Sequence, residues 1–157
     1  MPEESEESFR QGMGALKAGN TAEALAHFQA AVTRGKERAN LRSRMHYLSY
    51  YGLSMALAHR PSEHAIRACA KAASVDPFDL SLQHNLATVY VLAKQPTKAL
   101  AVLEQALRLE PTNKQLRAEL ARLDRRRRPP VSRLDRNHPL NRWLGRMRAS
   151  VVGPPSS

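Results

Sequence analysis

The chain has 157 residues and a formal net charge of +11; 42% of its residues are apolar and only 5% aromatic. That length allows one domain with tails, and that apolar fraction excludes a chain disordered throughout. Abundant Ala and Leu with few aromatics favour closely packed helices over a β-sandwich. A single cysteine, Cys69, excludes an internal disulfide framework. No run of about 18 apolar residues is available to span a membrane, and the acidic start MPEESEES is not a secretory signal, so a reducing, cytoplasmic setting is expected, or a nuclear one in a eukaryote.

In chain order, residues 1–4 read as an acidic tail, and residues 5–124 as a helical domain. The segment AEALAHFQAAV, with Ala24, Phe28 and Ala31, follows a Gly19-Asn20 turn and forms the second half of a helical pair. Next, EHAIRACAKAASVDP carries Ala65, Cys69, Ala72 and Pro77. Then TKALAVLEQALRLEP carries Ala99, Leu103, Ala106 and Pro111. Ala65 to Ala99, Ala72 to Ala106 and Pro77 to Pro111 are each 34 residues apart, so the chain repeats itself. The first copy leads the second by 41 instead. One extra residue falls in the turn HRPSEH, and six fall between Ala31 and Gly52. Those six are expected to lengthen the connection and the start of the next helix. The third copy opens on LSLQHNLATVYVLAK, whose Leu82, Leu86, Val89, Tyr90 and Leu92 have amphipathic helical spacing.

These copies resemble the tetratricopeptide repeat. The family's small residue in the first helix matches Gly12, Gly52 and Ala87; its small residue opening the second helix matches Ala24, Ala65 and Ala99. The large residue one turn later matches Phe28, Cys69 and Leu103, and the next alanine Ala31, Ala72 and Ala106. The closing proline matches Pro77 and Pro111, but Lys36 stands there in the first copy, and the family's early tryptophan is missing throughout. The resemblance covers residues 5–112. It implies an all-α fold: a short right-handed superhelix of three helical hairpins. TNKQLRAELARLDRR, with Leu116, Leu120 and Leu123 on one stripe, supplies a C-terminal capping helix.

The positive charge collects beyond this domain. Residues 125–148 hold nine arginines against Asp135. Residues 125–138 read as an Arg/Pro-rich linker. Its run Arg125, Arg126, Arg127, Arg128 is either a solvated connection or a contact for phosphate in nucleic acid or lipid; a nuclear import signal is a third reading. No aromatic interleaves it, so base stacking has no support. In residues 139–149, Leu140, Trp143, Leu144 and Met147 form the stripe of a short basic amphipathic helix. That helix either folds back on the repeats or docks on a partner or an anionic membrane. Residues 150–157 read as a disordered tail.

Catalytic chemistry finds no constellation here. The six histidines make no metal-ligand spacing with Cys69, and no glycine-rich phosphate loop occurs, so no enzyme activity, metal or cofactor is expected. The family resemblance instead implies a concave groove lined by first helices. By repeat position it holds Phe9, Met13 and Leu16, then Leu53 and Leu57, then His84, Thr88 and Val91. Several of these have an alternative role, packing between helices. Co-chaperones of the family clamp a C-terminal carboxylate with Lys and Asn. The matching positions here hold Phe9, Met13, Ser49, Leu53, His84 and Thr88, so an apolar or amphipathic protein segment is the expected ligand. The expected function is that of a protein-binding adaptor, with the Arg-rich tail adding a contact. The alternative is an anionic-surface binder that uses the repeats as scaffold.

Overall fold

The computed structural model describes residues 2–127, with side chains from Glu3 to Arg125. Those residues form seven helices: α1 Pro2–Lys17, α2 Thr21–Gly35, α3 Leu41–Ala58, α4 Glu63–Val75, α5 Leu80–Leu92, α6 Pro96–Leu109 and α7 Lys114–Arg127. A first compact unit runs to Leu120, and Ala121 opens the second, of which only the end of α7 is described. Within the first unit α1 pairs with α2, α3 with α4 and α5 with α6. Each hairpin then packs on the next through α2 on α3, α4 on α5 and α3 on α5. This is the expected all-α arrangement of helical hairpins.

Two boundaries differ from the sequence reading. Helix α1 begins at Pro2, so Glu3 and Glu4 lie in its first turn rather than in a tail. Negative charge is favourable there because it faces the positive end of the helix dipole. Helix α7 continues through Arg127, so Arg125, Arg126 and Arg127 close a helix instead of opening a linker. Cations suit that negative end for the converse reason. The remaining linker, the amphipathic stripe and the C-terminal tail lie outside the described residues.

The two departures from the 34-residue period have local causes. The α1–α2 and α5–α6 turns use three residues each, and the α3–α4 turn uses four, His59 to Ser62. In the three-residue turns one residue takes a left-handed backbone: Gly19 at φ 81° and Lys94 at φ 56°. There the chain reverses with one bond back across five residues, Asn20 N to Ala15 O at 2.9 Å and Gln95 N to Tyr90 O at 2.9 Å. The four-residue turn has no left-handed residue. Arg60 precedes Pro61, which disfavours the helical region for it, and His59 is extended at φ −130°. As for the six further residues, Gly52 is the twelfth residue of α3 whereas Ala87 is the eighth of α5, so four of them lengthen α3 at its start. The other two lie at the end of α2 and in the following connection.

The repeat positions are the core. Ala24, Phe28, Ala31, Ala65, Cys69, Ala72, Ala99 and Ala106 are wholly buried, and Leu103 nearly so. At Gly52 the helices approach so closely that a Cβ would stand 2.8 Å from the Ala65 carbonyl oxygen and 2.9 Å from Cys69 Sγ. A side chain there would force α3 off α4. Each fully buried large apolar side chain in such a core contributes about 1.5–3 kcal/mol. Helices α3, α5 and α7 are capped from the connections that precede them. Asn40 Oδ1 accepts from Ser43 N at 2.8 Å, Asp79 Oδ1 from Ser81 N at 3.0 Å, and Asn113 Oδ1 from Gln115 N at 3.1 Å.

Candidate partner-binding surface

The expected groove residues take different places. Phe9 lies among three other rings, with centroids 5.4 Å from Phe28, 5.1 Å from Tyr47 and 5.4 Å from Tyr50. Such tilted and edge-on aromatic pairs add about 0.5–1.5 kcal/mol each beyond area burial. Phe9 therefore ties α1 to α2 and α3. Leu53 is buried in the core with Met45, Cys69 and Leu86. These two side chains pack between helices. Met13 and Leu16 are half-buried beside the Phe28 cluster. Thr88 and Val91 are half-buried on α5, and Leu57 is 40% exposed on α3. Thr88 Oγ1 donates to the His84 carbonyl at 2.9 Å, which leaves its methyl as the freer group.

His84 has a partner on another helix: its Nε2 lies 2.9 Å from Glu119 Oε1 of α7. Beside it is a recess of about 210 Å³ between the starts of α5 and α7, lined by Leu80, Ser81, Asn113, Gln115 and Leu116. His84 is therefore engaged by the next helix at this end of the first-helix face.

A polar seam between α3 and α5 was not evident in the sequence. Asn85 Nδ2 donates to Ser49 Oγ at 3.1 Å with both residues buried, and Cys69 Sγ donates to the Ser49 carbonyl at 3.2 Å. At the same interface His46 Nε2 lies 2.9 Å and Arg42 Nη2 3.5 Å from Asp79 Oδ2. Burial pushes the Asp79 carboxyl up. The Ser81 hydroxyl, the His46 charge and the amides of Leu82 and Ser81 more than offset this, and it ends below its ordinary value. Burial pushes the Cys69 thiol up to about 12, so it stays protonated and is a packing group, not a nucleophile. Among the described residues no group of three His, Cys, Asp or Glu could hold a metal, and no helix is long and apolar enough to cross a membrane.

Of the arginine run, Arg125 is exposed and its Nε donates to the Ala121 carbonyl at 3.3 Å, within its own helix. The side chains of Arg126 and Arg127 lie outside the described residues, as do Arg128, Leu140, Trp143, Leu144 and Met147.

Helical hairpins stacked on buried small residues, with a partly apolar first-helix face, define a helical-repeat protein. Residues 80–123, spanning α5, α6 and most of α7, match the family model of the tetratricopeptide repeat. The fold is shared with solved tetratricopeptide domains. One is the Arabidopsis OM64 domain, at 23% identity and TM-score 0.63, covering 78% of this chain and 96% of that one. Another is the first such domain of Spaghetti (RPAP3) bound to the HSP90 peptide SRMEEVD, at 14% identity and TM-score 0.64, covering 79% and 95%. A third is the second domain of human RPAP3 in complex with the HSP70 peptide SGPTIEEVD, at 21% identity and TM-score 0.62, covering 79% and 98%. Curated protein sequences give no match.

Proposed function

We propose that the protein is a non-enzymatic intracellular adaptor that holds a segment of another protein on the face of its first helices. The partly exposed residues of the first helices carry this reading. The repeat positions of both helix sets are buried, whereas Met13, Leu16, Leu57, Thr88 and Val91 on the first helices keep solvent-exposed surface. Exposed apolar surface of this kind favours the apolar side of a partner segment. Peptide complexes of the RPAP3 domains support the use of this fold to hold short segments. The acidic ends of those peptides have no Lys or Asn to meet at Phe9, Met13, Ser49, Leu53, His84 or Thr88. An apolar or amphipathic segment fits better. The Arg125–Arg128 run and the Leu140, Trp143, Leu144, Met147 stripe add a second, basic contact.

The test replaces exposed groove residues and leaves the core intact. Met13→Glu with Val91→Glu should abolish recovery of a partner captured by the unaltered full-length chain, while the helical circular dichroism spectrum is retained. Changing Arg125–Arg128 to Gln should cost little. If the arginine changes are instead fatal and the groove changes silent, the tail is the main surface. Binding to nucleic acid would then fall with salt at a log–log slope of about −3 to −4 for four or five phosphate contacts.

A further inference from the structure

The turns of the second and third hairpins face a common open space of about 600 Å³. Ile66 and Leu92, both half-buried, give it apolar walls, and Arg60 and Lys94 give it exposed cations. Neither cationic side chain forms an ion pair or hydrogen bond among the described residues. Glu63 also lines the space, in the first turn of α4, where the helix dipole favours its charge. Gln95 lines it too, and its Oε1 is buried without a hydrogen-bond partner.

The two cations come from turns of different kinds, Lys94 from a three-residue turn and Arg60 from the four-residue one. Lys94 holds a left-handed backbone, φ 56°, at the position where the first hairpin has Gly19 at φ 81°. The flanking bonds are the same: Lys94 N to Val91 O and Gly19 N to Leu16 O are both 3.1 Å. Glycine takes that conformation without strain and lysine does not, so the turn by itself favours glycine. Strain kept where an easier residue is available points to a use for the side chain. Across the space, Arg60 sits in the four-residue turn, the one lengthened by a residue.

We propose that this recess is a second binding site, apart from the first-helix face, for a short acidic peptide segment with an apolar side chain next to its carboxylate. Arg60 and Lys94 receive the carboxylate, and Ile66 and Leu92 receive the apolar side chain. The recess is open to solvent, which suits a segment laid across it better than a small molecule enclosed within it. A bare phosphate would leave the apolar walls uncovered, and no aromatic lines the recess on which a base could stack.

The experiment titrates the ¹⁵N-labelled full chain with the N-acetylated peptide Leu-Asp-Glu-Leu-Asp and with its uncharged counterpart Leu-Asn-Gln-Leu-Asn. The acidic peptide should give saturable amide shifts confined to residues 60–66 and 92–95, and the uncharged one none. Arg60→Gln and Lys94→Gly should each weaken binding at least tenfold, and Lys94→Arg should keep it. Lys94→Gly should melt no lower than the unaltered chain, because glycine relieves the backbone. A lower melting temperature would give Lys94 a structural role and overturn the proposal. So would unchanged binding in that variant, equal binding of the uncharged peptide, or the absence of saturable shifts. Saturation of the recess by inorganic phosphate or an oligouridylate instead of the peptide would also overturn it. Shifts at Met13 and Thr88 alone would move the peptide to the first-helix face and leave that reading standing.

Discussion

Leu103 illustrates how one side chain holds two helices together. It is 1% exposed, on the inner side of α6, at the repeat position filled by Phe28 in α2 and Cys69 in α4. Leu103→Asp would put an unpaired charge where no water reaches, or force the carboxyl to bind a proton there. The expected loss is about 3–5 kcal/mol, a large share of the 5–15 kcal/mol typical of a domain. Thermal unfolding followed by circular dichroism should show a melting temperature lower by well over ten degrees, or no cooperative transition. An unchanged midpoint would mean that Leu103 is not a core position. At this scale the sequence was legible wherever the repeat fixes the environment. Phe9 and Leu53 are different, because their burial depends on neighbours from other helices. Ring contacts from α2 and α3 surround Phe9, and the α3–α4–α5 packing encloses Leu53.

Helix α5 is fastened at its start by Asp79, which caps its own helix and meets His46 and Arg42 of α3. The folded-state carboxyl titrates below its ordinary value of 3.8. Its charge therefore contributes stability that is present above about pH 4 and is lost as pH falls through the lower, folded-state value. Asp79→Asn keeps a good capping side chain but removes the charge. Urea unfolding of this variant should show a stability deficit of about 1 kcal/mol at pH 7 that shrinks toward pH 3. A deficit that is constant with pH would assign Asp79 to capping alone. The same contact uses the lengthened start of α3, since Arg42 belongs to its additional turn. The sequence located that insertion by arithmetic. That it delivers an arginine to the next hairpin's cap became visible only when α3 and α5 were placed side by side.

For the whole molecule, the described helices carry their own core, so a chain ending at Arg127 should be helical and melt cooperatively. Circular dichroism checks this, and a random-coil spectrum would show that residues after 127 are needed for folding. Asn113 stands 34 residues after Asp79, so the period continues into α7. Leu116 then falls at the place of Leu82, and both are buried. The capping helix is thus in register with the repeats, which explains why the family match runs on to residue 123.

The 34-residue spacing of small residues determined, without any coordinates, that the chain folds as helical hairpins. A small side chain is needed wherever two helices cross closely, and that need recurs with each hairpin. Turn lengths were equally readable, because they shift the spacing by whole residues. The binding surface was not. A first-helix residue faces either a neighbour or solvent according to how the next hairpin lies on it. This packs Phe9 and Leu53 between helices, turns His84 toward Glu119, and leaves Met13 and Val91 half-buried and Leu57 exposed. Nor does spacing reveal that Arg60 and Lys94, from different turns, line one recess. Only the stacking of the hairpins brings them together.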